Sequence, residues 1–206
     1  MYQYAEMTID TATTVDRRRG RPPAASREDV LGASLHRYLH GRRIDVRAIA
    51  AELGLGRTTI YRWFGSREGL VGETVWRAAE PLFDQGRAEA EGAGGDALLD
   101  TFDRINRGLE AAPALRSFLE LERDGLRMLT SSSGIVHRRA VAKIQGFVED
   151  EARAGTYRAP VDPATLGYAI VRLAEAFLFN DETAALRGDV ERLREIEAAL
   201  LGVHDA

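Results

Sequence analysis

Behind Ser26, the apolar residues Val30, Leu31, Leu35, Tyr38 and Leu39 recur at the spacing of one helical face. Ser26 with Asp29 three residues on has the form of a capping box, with Asp in the place usually held by Glu. The run His40–Arg43 closes this first helix. Asp45 can cap a second, very short one, on which Val46, Ile49, Ala50 and Leu53 share a face before Gly54 ends it. Arg57–Phe64 is long enough for two further turns. Gly65-Ser66 breaks it, and Ser66 can cap a fourth helix carrying Leu70, Val71, Thr74, Val75, Ala78 and Ala79. Pro81 is expected to kink or interrupt that helix, because it lacks an N–H and crowds the preceding turn.

The same period continues beyond a glycine-rich joint at residues 91–96. Leu98, Phe102, Ile105 and Leu109 form one stripe, and Pro113 stands where a first helical residue belongs, ahead of Leu115, Phe118, Leu119 and Glu122. After a break at Thr130–Gly134, the residues Val136, Ala140, Ile144, Phe147 and Glu151 make a long amphipathic helix. Asp162-Pro163 is a strong helix start, followed by the stripe Leu166, Ile170, Leu173 and Phe177. A last helix carries Val190, Leu193, Ile196 and Leu200. No segment has the alternation of a strand. The pattern predicts an all-α chain of about nine helices. Residues 1–25 are expected to be a disordered basic arm, 26–72 a three-helix unit and 73–206 a larger helical domain.

Composition narrows the function. The chain has 206 residues and no cysteine, which excludes disulfides, thiolate metal sites and a cysteine nucleophile. It has no apolar run long enough to span a membrane, and its first residues lack the apolar core of a signal peptide, so a cytoplasmic protein is expected. The net charge of −4 is unevenly spread. Between Arg17 and Arg67 lie 12 arginines and 4 acids, a net of +8, while the remaining 16 basic and 28 acidic residues give −12. A basic segment in an acidic chain points to a polyanionic partner. Within the arm, Gly20-Arg21-Pro22 has the core of a minor-groove-binding hook.

A short helix, a glycine-containing turn and a second short helix make a helix-turn-helix, whose second helix reads the DNA major groove. Arg57, Thr58 and Thr59 stand at its N-terminal end, where Arg can grip a guanine and Thr a thymine. Ile60 and Phe64 share the inward face. Tyr61, Arg62 and Trp63 lie toward the edge, within reach of phosphates. Arg67 begins the next helix, where its charge adds to the positive end of the dipole and suits a phosphate clamp. With Arg47 on the preceding helix, these are the candidate DNA contacts.

The stretch Ile44–Val75 resembles the N-terminal domain of the TetR family of bacterial regulators. The resemblance rests on Ile49-Ala50, Gly54-Leu55, Thr59-Ile60-Tyr61, Phe64 and Ser66-Arg67-Glu68 followed by Leu70. Gly56 replaces the usual Ser or Thr cap, Thr58 a usual small residue, and Arg67 a usual Lys. The C-terminal part looks most like the QsdR-type branch, associated with lactone catabolism. The resemblance implies a helix-turn-helix domain, an all-α ligand domain, and a homodimer joined through the last two helices. The two apolar stripes of residues 163–201 give a second reason to expect a dimer, since they lack a further partner in a nine-helix chain.

A regulator of this kind needs a small-molecule pocket. The polar residues Glu122, Arg123, Arg172 and Glu175, with Phe102, Phe118, Leu119, Phe147, Tyr168 and Phe179, are the candidate lining. The charges balance in pairs, so the expected effector is compact and apolar with one or two acceptors, such as a lactone. His36 and His40 are one turn apart but lack a third ligand, so no metal is expected, and no cofactor motif is present. A small all-α hydrolase using Glu122 or Glu175 is the rival reading, but no nucleophile and base converge, and no enzyme activity is expected. The expected function is a ligand-responsive DNA-binding regulator, a repressor or, with the same fold, an activator.

Overall fold

The structure is a computed structural model that describes residues 25–179 and 188–203. Among them are ten helices and no strand. The first three are α1 (Arg27–Leu39), α2 (Val46–Glu52) and α3 (Arg57–Phe64). The others are α4 (Arg67–Ala88), α5 (Gly95–Ala111), α6 (Pro113–Leu121), α7 (Gly125–Thr130), α8 (Ile135–Arg153), α9 (Pro163–Phe179) and α10 (Val190–Leu201). Nine of these coincide with helices read from the sequence; α7, six residues long, is the addition. The expected basic arm lies outside the described residues, apart from Ala25.

Local chemistry fixes the N-terminal helices where the sequence placed them. The Ser26–Asp29 capping box closes in both directions, and its hydrogen bonds hold the Asp29 carboxyl below the usual range. Asp45 accepts from the amides of Arg47 and Ala48 at 2.7 and 3.3 Å, and those bonds lower its pKa too. Ser66 accepts from the Gly69 amide at 3.0 Å. Gly56 offers α3 no side-chain cap. Pro81 does not interrupt α4, which runs through it unbroken. It lies on the exposed side, where the carbonyl deprived of its donor can turn to water.

Two apolar cores meet along α4. The first gathers Val30, Tyr38, Ile49, Ile60, Phe64, Leu70 and Val75 with Leu115, Phe118 and Leu129 of α6 and α7. The second joins Trp76, Phe83, Phe102, Ile144, Phe147, Ile170 and Leu201. The division falls between Val75 and Trp76 of one continuous helix, so both cores share a rigid element. Helices α6 and α7 lie beyond the helix-turn-helix in sequence, yet they pack into its core. Close packing of α4 on α5 needs Gly86, because a Cβ there would come within 2.9 Å of Ile105.

Candidate functional site

The helix-turn-helix turns an arginine-bearing face to solvent. Ile60 and Phe64 are buried, and Arg57, Thr58, Tyr61 and Arg62 are exposed. Thr59 and Trp63 are half-buried, and Trp63 packs its indole against the first core. Arg47 is exposed on α2. Among the described residues Arg47, Arg57 and Arg62 form no salt bridge, so their charges are available to an anion.

Arg67 is placed differently from the phosphate clamp expected of it. Its guanidinium turns inward, with Nη2 2.6 Å from Glu122 Oε1 and 3.4 Å from the Ile44 carbonyl oxygen. Arg43, in the loop between α1 and α2, donates to both oxygens of the same carboxylate at 3.3 and 3.4 Å. Glu122, 4% exposed at the C-terminal end of α6, therefore ties α6 to the α1–α2 loop and to the start of α4.

Between the two cores lies a cavity of about 360 Å³. Its walls come from Tyr38 and Leu39 of α1, Trp76 and Phe83 of α4, Phe102 and Asn106 of α5, the start of α6, and residues of α8, α9 and α10. It thus touches α1 of the helix-turn-helix unit directly. Three of the expected lining residues are there: Phe102, Glu175 and Phe179. Phe118 and Leu119 pack into the first core instead, and Phe118 stacks obliquely on Tyr38 with ring centres 6.0 Å apart. Phe147 is in the second core, with Arg87 over its ring. Arg123 and Tyr168 are exposed. Arg172 supports the wall from behind: it donates to Glu175 and to the Thr130 carbonyl, both at 2.7 Å, and to the Tyr168 hydroxyl at 3.1 Å.

The polar lining is small and specific. His137 Nδ1 and Glu175 Oε1 are 2.7 Å apart, joining α8 to α9. Asn106 Nδ2 donates to both oxygens of Glu197, at 3.1 and 3.2 Å. Burial pushes the Glu197 carboxyl up to about 8; Asp103 adds to the shift, while Asn106 and Arg194 oppose it. No Lys or Arg lines the cavity. Trp76, Phe83, Asn106, His137 and Glu197 were not among the residues expected from the sequence. Glu197 did leave a signal. It stands one turn from Leu193 and one from Leu201, a carboxylate on the buried stripe of α10. Among the described residues no group of three His, Asp or Glu side chains could hold a metal ion. No described helix is long and apolar enough to cross a membrane.

Comparison with known proteins bears on both halves of the molecule. Residues 42–74 match the family model "Bacterial regulatory proteins, tetR family". Residues 93–202 match "Tetracyclin repressor-like, C-terminal domain". The chain belongs to the TetR family. In this family's terms α2 and α3 are the DNA-binding helix-turn-helix of a transcriptional regulator, and α5 to α10 make the C-terminal domain. The HTH-type transcriptional regulator AlkX of Mycobacterium tuberculosis is 31% identical over 135 residues, which span 63% of either chain. The solved structure of the R. erythropolis TetR-family transcriptional repressor QsdR superposes with a TM-score of 0.78 at 27% identity, covering 87% of this chain and 96% of that one. AlkX from Dietzia sp., a TetR-family repressor implicated in biodegradation of n-alkanes, shares the fold, with a TM-score of 0.54 at 21% identity over 86% of this chain and 97% of that one.

Proposed function

We propose that the protein is a homodimeric cytoplasmic repressor that binds a palindromic operator and leaves it when a small molecule fills the cavity between its two cores. One observation carries this reading: α4 and α1 contribute both to the helix-turn-helix core and to the cavity wall. A ligand that favours one placement of those helices biases the recognition helix directly. A hundredfold loss of operator affinity requires only about 2.7 kcal/mol of differential ligand binding.

In this reading Arg57, Thr58 and Thr59 meet base edges, and Arg47, Tyr61, Arg62 and Trp63 meet phosphates. Two recognition helices about one DNA turn apart read the half-sites. The effector is compact and apolar with one or two acceptors, a lactone or similar ester being the first candidate. Its contacts are Phe102, Glu175 and Phe179 with Trp76, Phe83 and Asn106, while Arg172 holds Glu175 in place.

Selection of duplexes from a random library by the full chain tests the DNA half of the proposal, and a palindrome with half-sites about one turn apart is expected. Lactones and esters that raise the melting temperature are then expected to release that duplex. Enrichment of no sequence, or retention of the duplex at saturating ligand, would contradict the proposal.

A further inference from the structure

We propose that Glu197 and Asn106 form the polar end of this cavity and select a neutral, largely apolar molecule that ends in a carbonyl or hydroxyl group. The inference rests on reading the cavity as the effector site, and it names the head-group chemistry of that site.

Glu197 is fully buried, and Leu193 and Leu201 flank it one turn to either side. A carboxylate in such surroundings needs a cation or several donors. Among the described residues it has one bonding partner, the neutral amide of Asn106, whose single nitrogen is shared between its two oxygens. Of the charged groups beside it, Asp103 pairs with Arg107 at 2.9 Å and lies 3.9 Å from Arg194, Arg107 pairs with Glu191 at 2.8 Å, and Asp103 Oδ1 and Arg194 Nη1 are buried without a hydrogen bond among the described residues; none of the four lines the cavity. Elsewhere in the lining, His137 and Glu175 bond each other, and Glu175 also takes Arg172. Glu197 is thus the lining group with capacity left over. In its neutral form it offers the cavity one O–H donor.

Head groups differ in what they meet there. A carboxylate would face Glu197 and Glu175 in a lining without Lys or Arg. An ammonium would require Glu197 to ionise beside Asp103, with both new charges stripped of water. A carbonyl or hydroxyl oxygen accepts the O–H and creates no charge. The body of the ligand would then lie along Trp76, Phe83, Phe102 and Ile170.

A series with one nine-carbon chain and four heads isolates the effect: nonanamide, 1-nonanol, nonanoate and nonylamine, titrated into the full-length chain and read as melting shift and Kd. At pH 7 the amide and alcohol are expected to stabilise by several degrees and nonanoate not at all. Glu197→Gln keeps a neutral donor and is expected to hold the amide within about threefold. Glu197→Leu, or Asn106→Leu if that variant fails to fold, is expected to lose about tenfold. Wild-type affinity should fall as pH rises past the titration of Glu197, and Glu197→Gln should remove that fall. Because a glutamine side chain cannot titrate, the comparison separates Glu197 from Asp103 and Arg194 beside it, from Arg107 and Glu191, and from His137 and Glu175 of the same lining. The proposal is overturned if nonylamine binds best, if all four heads bind alike, or if none binds. A head preference of the expected kind without release of the selected duplex would uphold the subsite and sink the effector reading. Release by all heads alike would do the reverse.

Discussion

A side chain that meets a phosphate must be free to do so, and Arg62 is exposed without a salt bridge among the described residues, whereas Arg67 is held by Glu122. Removing one arginine that neutralises a phosphate lowers the salt slope of DNA binding by about one unit. Arg62→Ala is therefore expected to weaken all duplexes alike and to flatten that slope by about one unit, and Arg67→Ala to leave it nearly unchanged. Titrations of two unrelated duplexes across a salt series check both. Thr59→Ala should instead alter which bases are preferred. The exposure of Arg57, Thr58 and Arg62 was readable from their spacing against Ile60 and Phe64. The partner of Arg67 was not, because Glu122 lies 55 residues away and helix periodicity carries no information across that distance. Glu197 makes a second residue-scale prediction. Burial raises its folded value to about 8 from an ordinary value of 4.5. Below the ordinary value both folded and unfolded forms hold the proton, so the group costs nothing. As pH rises from there toward the folded value the unfolded chain releases its proton and the folded one keeps it, so stability falls, by up to about tenfold in the folding equilibrium per pH unit. Asp103 and Arg194 beside it and Glu175 and His137 of the same cavity lining are common to both proteins in the comparison. Denaturant melts of wild type and Glu197→Gln should diverge over this window, with the Gln variant flatter. Parallel curves would contradict the burial argument.

Elements depend on how tightly their ends approach. At the turn from α3 to α4, a Cβ on Gly69 would sit 2.0 Å from the carbonyl oxygen of Phe64. That oxygen belongs to backbone, so relief requires α3 and α4 to part. Gly69→Ala is expected to cost about 1–3 kcal/mol, a fall of several degrees in Tm, and to weaken DNA binding more than the stability loss explains. An unchanged melting curve would show that the turn can open freely. Caps and breaks at Ser26, Asp45, Ser66 and Pro113 are local signals, and each marks a helix end or start in the structure. Helix α7 escaped notice because six residues are too few to show a period. The sequence pattern puts the face of α10 along Val190, Leu193, Ile196 and Leu200, whereas the buried line is Leu193, Glu197 and Leu201. A charged residue on the buried side made the apolar stripe turn by one position. Assignment of α6 to a core also lay beyond local pattern, since Leu115 and Phe118 are as apolar in either place. Glu122→Ala should report on this join: it leaves two arginines without their shared partner, and a loss of roughly 1–2 kcal/mol is expected, reduced by the exposure of Arg43.

At the scale of the molecule, a dimer needs a different basis from the one the apolar stripes offered. The two stripes were expected to need a second subunit, yet Leu166, Ile170, Phe177 and Leu193 are buried within their own chain. Helix α8 packs along α9 and α5 along α10, so helices already legible in the sequence supply the partners that the stripes alone do not reveal. The faces left over are narrower. Leu173 on α9 and Ile196 on α10 remain half-exposed. Two copies meeting through these faces would form a four-helix contact with twofold symmetry, which matches the symmetry of a palindromic operator. The interface would then hold fewer large apolar groups than the stripes promised, so it should respond sharply to one charge. Sedimentation at micromolar concentration is expected to give twice the 22.7 kDa chain mass. Leu173→Glu or Ile196→Glu should return the chain to monomer without a large loss of helicity, because neither side chain is fully buried in the folded chain. The monomer should keep weak binding to a half-site and lose the tight binding to the full palindrome, since linking two sites raises affinity far beyond either alone. A wild-type chain that sediments as a monomer and still holds the palindrome tightly would contradict the twofold arrangement altogether.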